Sequence, residues 1–150
     1  MSLDRSLMSL QRVLSQAWNR ADGDDRYEVL SSNEFDYLLC VYLAEKGSDP
    51  DSAEHDDSSH LSALAAEMQV QKSSASVMVN KLEKRGLIER VTCRFDARAQ
   101  HILLTERGRE LFLRTRESVY STLASSIAER LEPDEYRTLE QILDKVCADQ

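Results

Sequence analysis

Near the start of the chain, apolar side chains recur at every third or fourth place: Leu3, Leu7, Leu10, Leu14, Ala17 and Trp18. That spacing draws one apolar stripe along an opening helix, and a stripe of this kind needs a partner to cover it. Ser31 and Glu34 then have the spacing of a capping box ahead of Phe35, Leu38, Leu39, Tyr42 and Leu43, which predict a second helix that Gly47 can end. Leu61, Leu64 and Ala65 mark a short Ala-rich helix within "LSALAAE", and a turn follows through Met68 to Gln71. In "KSSASVMVNKLEKRGLIERV", Ala75, Met78, Val79 and Leu82 fall at i, i+3, i+4 and i+7, so this helix has one buried face, with Gly86 as its stop.

Past Gly86 the period changes. Residues 87–92 and 100–104 are short β-prone runs around "CRFDARA", which predicts a hairpin. Thr105 caps one long further helix whose apolar side holds Leu111, Phe112, Val119, Leu123, Ile127 and Leu131. Pro133 suits the first turn of a last helix striped by Tyr136, Leu139, Ile142, Leu143 and Val146. The prediction is a mainly α chain with a small β-hairpin wing, in which two helices joined by a short turn form a helix-turn-helix.

Composition agrees with this pattern. A chain of 150 residues, 41% hydrophobic and 31% charged, with four Gly and two Pro, suits a single helical globular domain. No apolar run approaches the ~20 residues that cross a bilayer, and the first residues mix polar with apolar ones, so a cytoplasmic protein with no membrane partner is expected. Cys40, Cys93 and Cys147 are too few and too scattered for a disulfide framework or zinc knuckle. Cys40 and Cys147 lie in apolar helical patterns that predict burial, whereas Cys93 falls in the hairpin beside Arg94.

The net charge of −8 conceals a segregation. Residues 20–60 carry −9 and residues 72–109 carry +5, so one basic block stands in an acidic chain. Residues 48–59 carry five carboxylates and no large apolar side chain, which predicts an exposed acidic loop. A divalent-metal site built there from His55, His60 and nearby Asp is disfavoured, since neither EF-hand spacing nor a helical His pair occurs, and no metal or cofactor is expected.

With its apolar residues turned inward, the basic helix presents Ser73, Ser74, Ser76, Val77, Asn80, Lys81 and Lys84 on the opposite face. Hydroxyls and an amide can bond base edges or phosphates, Val77 can touch a thymine methyl, and Lys72, Lys81 and Lys84 can neutralise phosphates. The first turn of the helix also offers backbone N–H groups to a phosphate. On the hairpin, Arg94 and Arg98 suit a minor groove, and Asp96 between them is expected to pair with Arg98 and aim it. A helix for the major groove beside a basic hairpin is a winged helix-turn-helix.

These residues resemble the DNA-binding core of the MarR family of bacterial transcription regulators. The resemblance rests on the Leu-Ala helix, the Ser-rich helix, "LEKRGLIER", the wing pattern of Asp96, Arg98 and Ala99, and Leu104, Thr105 and Gly108. It implies one MarR-like domain over 1–150, with a winged lobe at 30–109, the acidic loop 48–59 as an insertion, and dimerisation helices at 1–29 and 110–150. It further implies a homodimeric, ligand-responsive repressor on a pseudo-palindromic double-stranded operator. A small-molecule inducer would draw on Trp18, Tyr37 and Tyr42. Val77 and Ala97 stand where the family often has basic residues. Together with the net charge, Val77 also motivates an alternative, a winged-helix protein-interaction module without DNA binding. No nucleophile elbow, P-loop or metalloprotease motif points to an enzyme.

Overall fold

The computed structural model describes residues 1–47 and 60–148, and the acidic segment 48–59 lies outside the described residues. The helices are α1 (Leu3–Asp22), α2 (Ser32–Gly47), α3 (Leu61–Glu67), α4 (Lys72–Lys84), α5 (Glu106–Arg116), α6 (Thr122–Ala128) and α7 (Pro133–Cys147). Two antiparallel strands, β1 (Ile88–Thr92) and β2 (Gln100–Leu104), pair with Ile88 opposite Leu104 and Thr92 opposite Gln100. The chain divides into two compact units, residues 24–115 in one and 1–23 with 116–150 in the other.

The 24–115 unit is built around α2. Its Phe35, Leu38 and Val41 are buried with Leu64, Ala75, Val79, Leu82, Ile102, Leu111 and Phe112. Phe35 stacks on Phe112 with ring centroids 4.9 Å apart. The face expected of α2 is partly revised: Tyr37 and Val41 are buried, while Leu43 is exposed. A helix at the centre of a lobe meets neighbours on more than one side, so a single stripe underestimates its buried surface.

Local signals set most boundaries. Ser31 and Glu34 form the expected capping box: the Ser31 N–H donates to Glu34 Oε1 at 3.0 Å, and the Glu34 N–H donates to Ser31 Oγ at 3.2 Å. Gly86 ends α4 with φ +72°, a conformation that costs other residues about 1–2 kcal/mol, and the Leu87 N–H then bonds back to the Leu82 carbonyl at 3.0 Å. Thr105 caps α5, accepting the Gly108 N–H at 3.0 Å, while its hydroxyl donates to the Gly86 carbonyl at 2.6 Å. Gly108 is required by close approach, since a Cβ there would lie 1.9 Å from the Leu87 carbonyl oxygen.

In the other unit the long helix expected after Thr105 does not continue unbroken. A π turn over Glu117–Ser121 precedes α6, and the Thr122 hydroxyl donates to the Glu117 carbonyl at 3.1 Å. Such a turn adds one residue without changing the apolar pattern enough to be seen in sequence. Trp18 meets Tyr120 edge-on, with centroids 6.0 Å apart. Pro133 opens α7 behind Glu132, whose N–H donates to Glu135 Oε2 at 2.9 Å in a second capping box. Leu3, Leu7 and Leu10 of α1 and Ile142, Leu143 and Val146 of α7 are exposed.

Candidate nucleic-acid interface

Helix α4 buries Ala75, Val79 and Leu82 and half-buries Met78, which fixes what its other face offers. Lys72, Ser73, Ser74, Val77, Asn80, Lys81 and Lys84 are all exposed, and Ser76 is half-buried. Val77 stands out at 71% exposure in the middle of this face. The Gln71 side chain makes no cap hydrogen bond at the start of α4, so among the described residues the first-turn N–H groups beside Ser73 and Ser74 keep their capacity for an acceptor.

The wing follows directly. Cys93 donates its N–H to the Ala99 carbonyl at 2.9 Å and closes the hairpin, beyond which Arg94, Asp96 and Arg98 are exposed. The expected pairing of Asp96 with the Arg98 guanidinium is corrected. Asp96 Oδ1 instead accepts the Arg98 backbone N–H at 3.0 Å, and among the described residues no carboxylate reaches the Arg98 side chain. A short carboxylate two residues before an N–H favours this local turn over a longer reach to a mobile guanidinium.

The basic block is only partly open. Glu34 at the start of α2 bonds the Arg85 guanidinium and lies 3.6 Å from Lys81 Nζ. Arg85 also reaches Glu28 at 2.8 Å, and Arg109 reaches Glu45 at 2.6 Å. Burial opposes ionisation of Glu34, but the Ser31 N–H and the Arg85 guanidinium outweigh it and hold the carboxyl below its ordinary value. Arg90 bonds Asn80 Oδ1 and lies 3.5 Å from Glu83. Among the described residues, Lys72, Lys84, Arg94 and Arg98 have no ion-pair partner. Sequence counts nine basic side chains between 72 and 109; ion pairs among the described residues engage five of them and leave these four.

Tyr37 is buried in the α2 core, and Tyr42 lies against Phe112 with centroids 4.7 Å apart and Lys46 Nζ 4.5 Å over its ring. Trp18 packs with Tyr120 in the 1–23 and 116–150 unit. Cys147, expected in a buried stripe, is exposed. Burial, then Glu67 and Asp36, push the Cys40 thiol up to about 11, so it stays protonated near neutrality and is a poor nucleophile. Sequence reasoning missed one cluster altogether: His60, Cys93 and His101 come together where the approach to α3 meets the hairpin. His55, the other histidine of the disfavoured loop site, lies outside the described residues.

Comparison with known proteins bears on this arrangement. Residues 53–99, which span α3, α4 and most of the wing, match the MarR family model. Apo MarR from E. coli superposes with a TM-score of 0.68 at 20% identity, covering 98% of each chain. A MarR family protein from Bacillus stearothermophilus gives 0.72 at 20% identity over 98% of this chain and 91% of that one. MepR from S. aureus, solved in complex with DNA, gives 0.67 at 17% identity over 100% and 99%. Among proteins of curated function, none matches the sequence. The resemblance stated from the motifs is thus met by the family match over the helix-turn-helix and by a MarR-type fold over nearly the whole chain.

Proposed function

From a chain with the MarR-type winged-helix fold and a MarR family match across its recognition elements, we infer a sequence-specific, double-stranded-DNA-binding transcription regulator. One observation carries this reading: Ser73, Ser74, Val77 and Asn80 are exposed together on one face of α4, and in the basic block 72–109 the cations without an ion pair among the described residues are Lys72, Lys84, Arg94 and Arg98. Hydroxyl, amide and methyl groups read base edges in the major groove, and the cations anchor the backbone. Arg94 and Arg98, carried on a thin hairpin, suit the narrow minor groove. The relative solved in complex with DNA supports the same use of the fold.

The regulator acts as a homodimer on a pseudo-palindromic operator. Its exposed apolar stripes on α1 and α7 are surfaces that a second copy would cover. Two-fold symmetry places the recognition helices in successive major grooves, so half-sites lie about 34 Å apart. Repression is released by a small molecule that prefers the non-binding conformation, and it shifts the equilibrium only by its differential affinity.

Selection of bound duplexes from random DNA tests the reading, with the mass of the complex measured alongside. A two-fold-symmetric site bound by two chains is expected. The exposed apolar Val77 favours a second reading, a protein-interaction module, and failure to enrich any sequence would decide for it.

A further inference from the structure

We propose that His60, Cys93 and His101 form a binding site for a thiophilic divalent transition metal, with Zn²⁺ the best match, at the joint between the helix-turn-helix and the wing. His60 precedes α3 with extended backbone (φ −72°, ψ 154°), and it bridges His101 on the outer edge of β2. Val91 pairs with His101 in the hairpin, so Cys93, two places on, lies diagonally from His101 on the same face. Three ligand-bearing residues therefore converge from the approach to α3, the end of β1 and the middle of β2.

The donor geometry suits a tetrahedral ion. The two Nε2 atoms are 3.4 Å apart, with ring centroids at 4.5 Å and planes inclined by 63°. All three donor atoms lie within 4.8 Å of one another. Zinc with nitrogen at about 2.0–2.1 Å and sulfur at about 2.3 Å, in tetrahedral arrangement, separates its nitrogens by about 3.4 Å and nitrogen from sulfur by about 3.6 Å. The site is thus near its loaded shape. Two imidazoles and a thiol select zinc over calcium or magnesium, which prefer oxygen donors.

His60 and Cys93 are buried, so water competes weakly for the ion. On binding, the Cys93 S–H bond gives way to a sulfur–metal bond and its proton leaves to solvent. Three protein ligands among the described residues leave a fourth position on a tetrahedral ion. His60 also lines a cleft of about 510 Å³ whose walls include Lys72, Asp96 and Arg98. An ion here would tie the wing to the start of α3 beside those DNA-facing side chains. The effect on operator binding rests on the function proposed above; the metal site does not.

The test uses the full chain, reduced and stripped of metal, titrated with Co²⁺ in the absence of DNA. One equivalent per chain is expected, with a thiolate-to-cobalt charge-transfer band that Zn²⁺ abolishes. Cys93→Ser should lose the band, and His101→Gln should weaken Zn²⁺ affinity at least tenfold with the helical circular dichroism intact. A wild-type chain that shows no such band overturns the proposal even if both variants misfold, as does a band that persists in Cys93→Ser. With selected operator DNA, Zn²⁺ should tighten wild-type binding several-fold and leave Cys93→Ser unchanged; equal affinity with and without Zn²⁺ overturns the coupling. Absence of any DNA binding would count against the proposed function while the cobalt titration still decides the site.

Discussion

The guanidinium of Arg90, on β1, bonds the side-chain oxygen of Asn80, on the exposed face of α4. The wing strand thereby orients an amide on the exposed face of α4. With Oδ1 engaged, Asn80 presents its NH₂ group outward, which suits acceptors such as guanine O6 and N7 or thymine O4. The bidentate pairing of an amide with adenine needs that oxygen.

Arg90→Ala should therefore shift base preference at the position under Asn80 toward adenine. Selection from random duplexes with each protein measures this, and an identical preference would show that the Arg90 bond does not govern readout. A good bidentate contact is worth about 1–3 kcal/mol, so the change should be visible as a redistribution of about fivefold or more.

Salt dependence separates open cations from paired ones. Arg98→Ala and Lys72→Ala should each flatten the slope of log K against log salt by about 0.9 for every phosphate that the removed cation had neutralised. Lys81→Ala should flatten it less, because Glu34 already lies 3.6 Å from the ammonium. Equal effects at Lys72 and Lys81 would mean that DNA draws Lys81 away from its carboxylate.

Glu34 joins the first turn of α2 to the last turn of α4, accepting the Ser31 N–H and the Arg85 guanidinium. Glu34→Ala should destabilise the lobe by on the order of 2–3 kcal/mol, since a cap is removed and a cation is left without its buried partner. Because the folded carboxyl titrates below its ordinary value of 4.5, its contribution is complete above that pH and is lost as pH falls through the folded value. Urea melts at stepped acid pH should show the wild type losing stability there, and Glu34→Gln losing less.

Gly108→Ala should destabilise more than Gly86→Ala. At position 108 the new methyl meets the Leu87 carbonyl oxygen at 1.9 Å, so β1 or α5 must move, whereas at position 86 nothing lies within 4 Å and only the φ of +72° is strained. About 1 kcal/mol is expected for Gly86→Ala and on the order of 3 kcal/mol for Gly108→Ala, read from denaturant midpoints.

Periodicity and caps act over a few residues, so they are readable before folding. That is why helix α4, its Gly86 stop, the Ser31–Glu34 cap and the hairpin were legible in the chain. Even the face of α4 followed, because burying Ala75, Val79 and Leu82 leaves Ser73, Val77 and Asn80 no other side. The resemblance carried by the wing and Gly108 pointed to the same fold, and the close approach to Leu87 supplies its physical reason.

What only tertiary structure decided is how polar groups are shared. Glu34 and Arg85 stand 51 positions apart, and His60 and His101 stand 41 apart; no local pattern encodes such meetings. The sequence by itself determined a basic helix and hairpin in an acidic chain. Folding determined which of those cations remain open to a phosphate, since a carboxylate neutralises a cation only where the packed core brings it within reach.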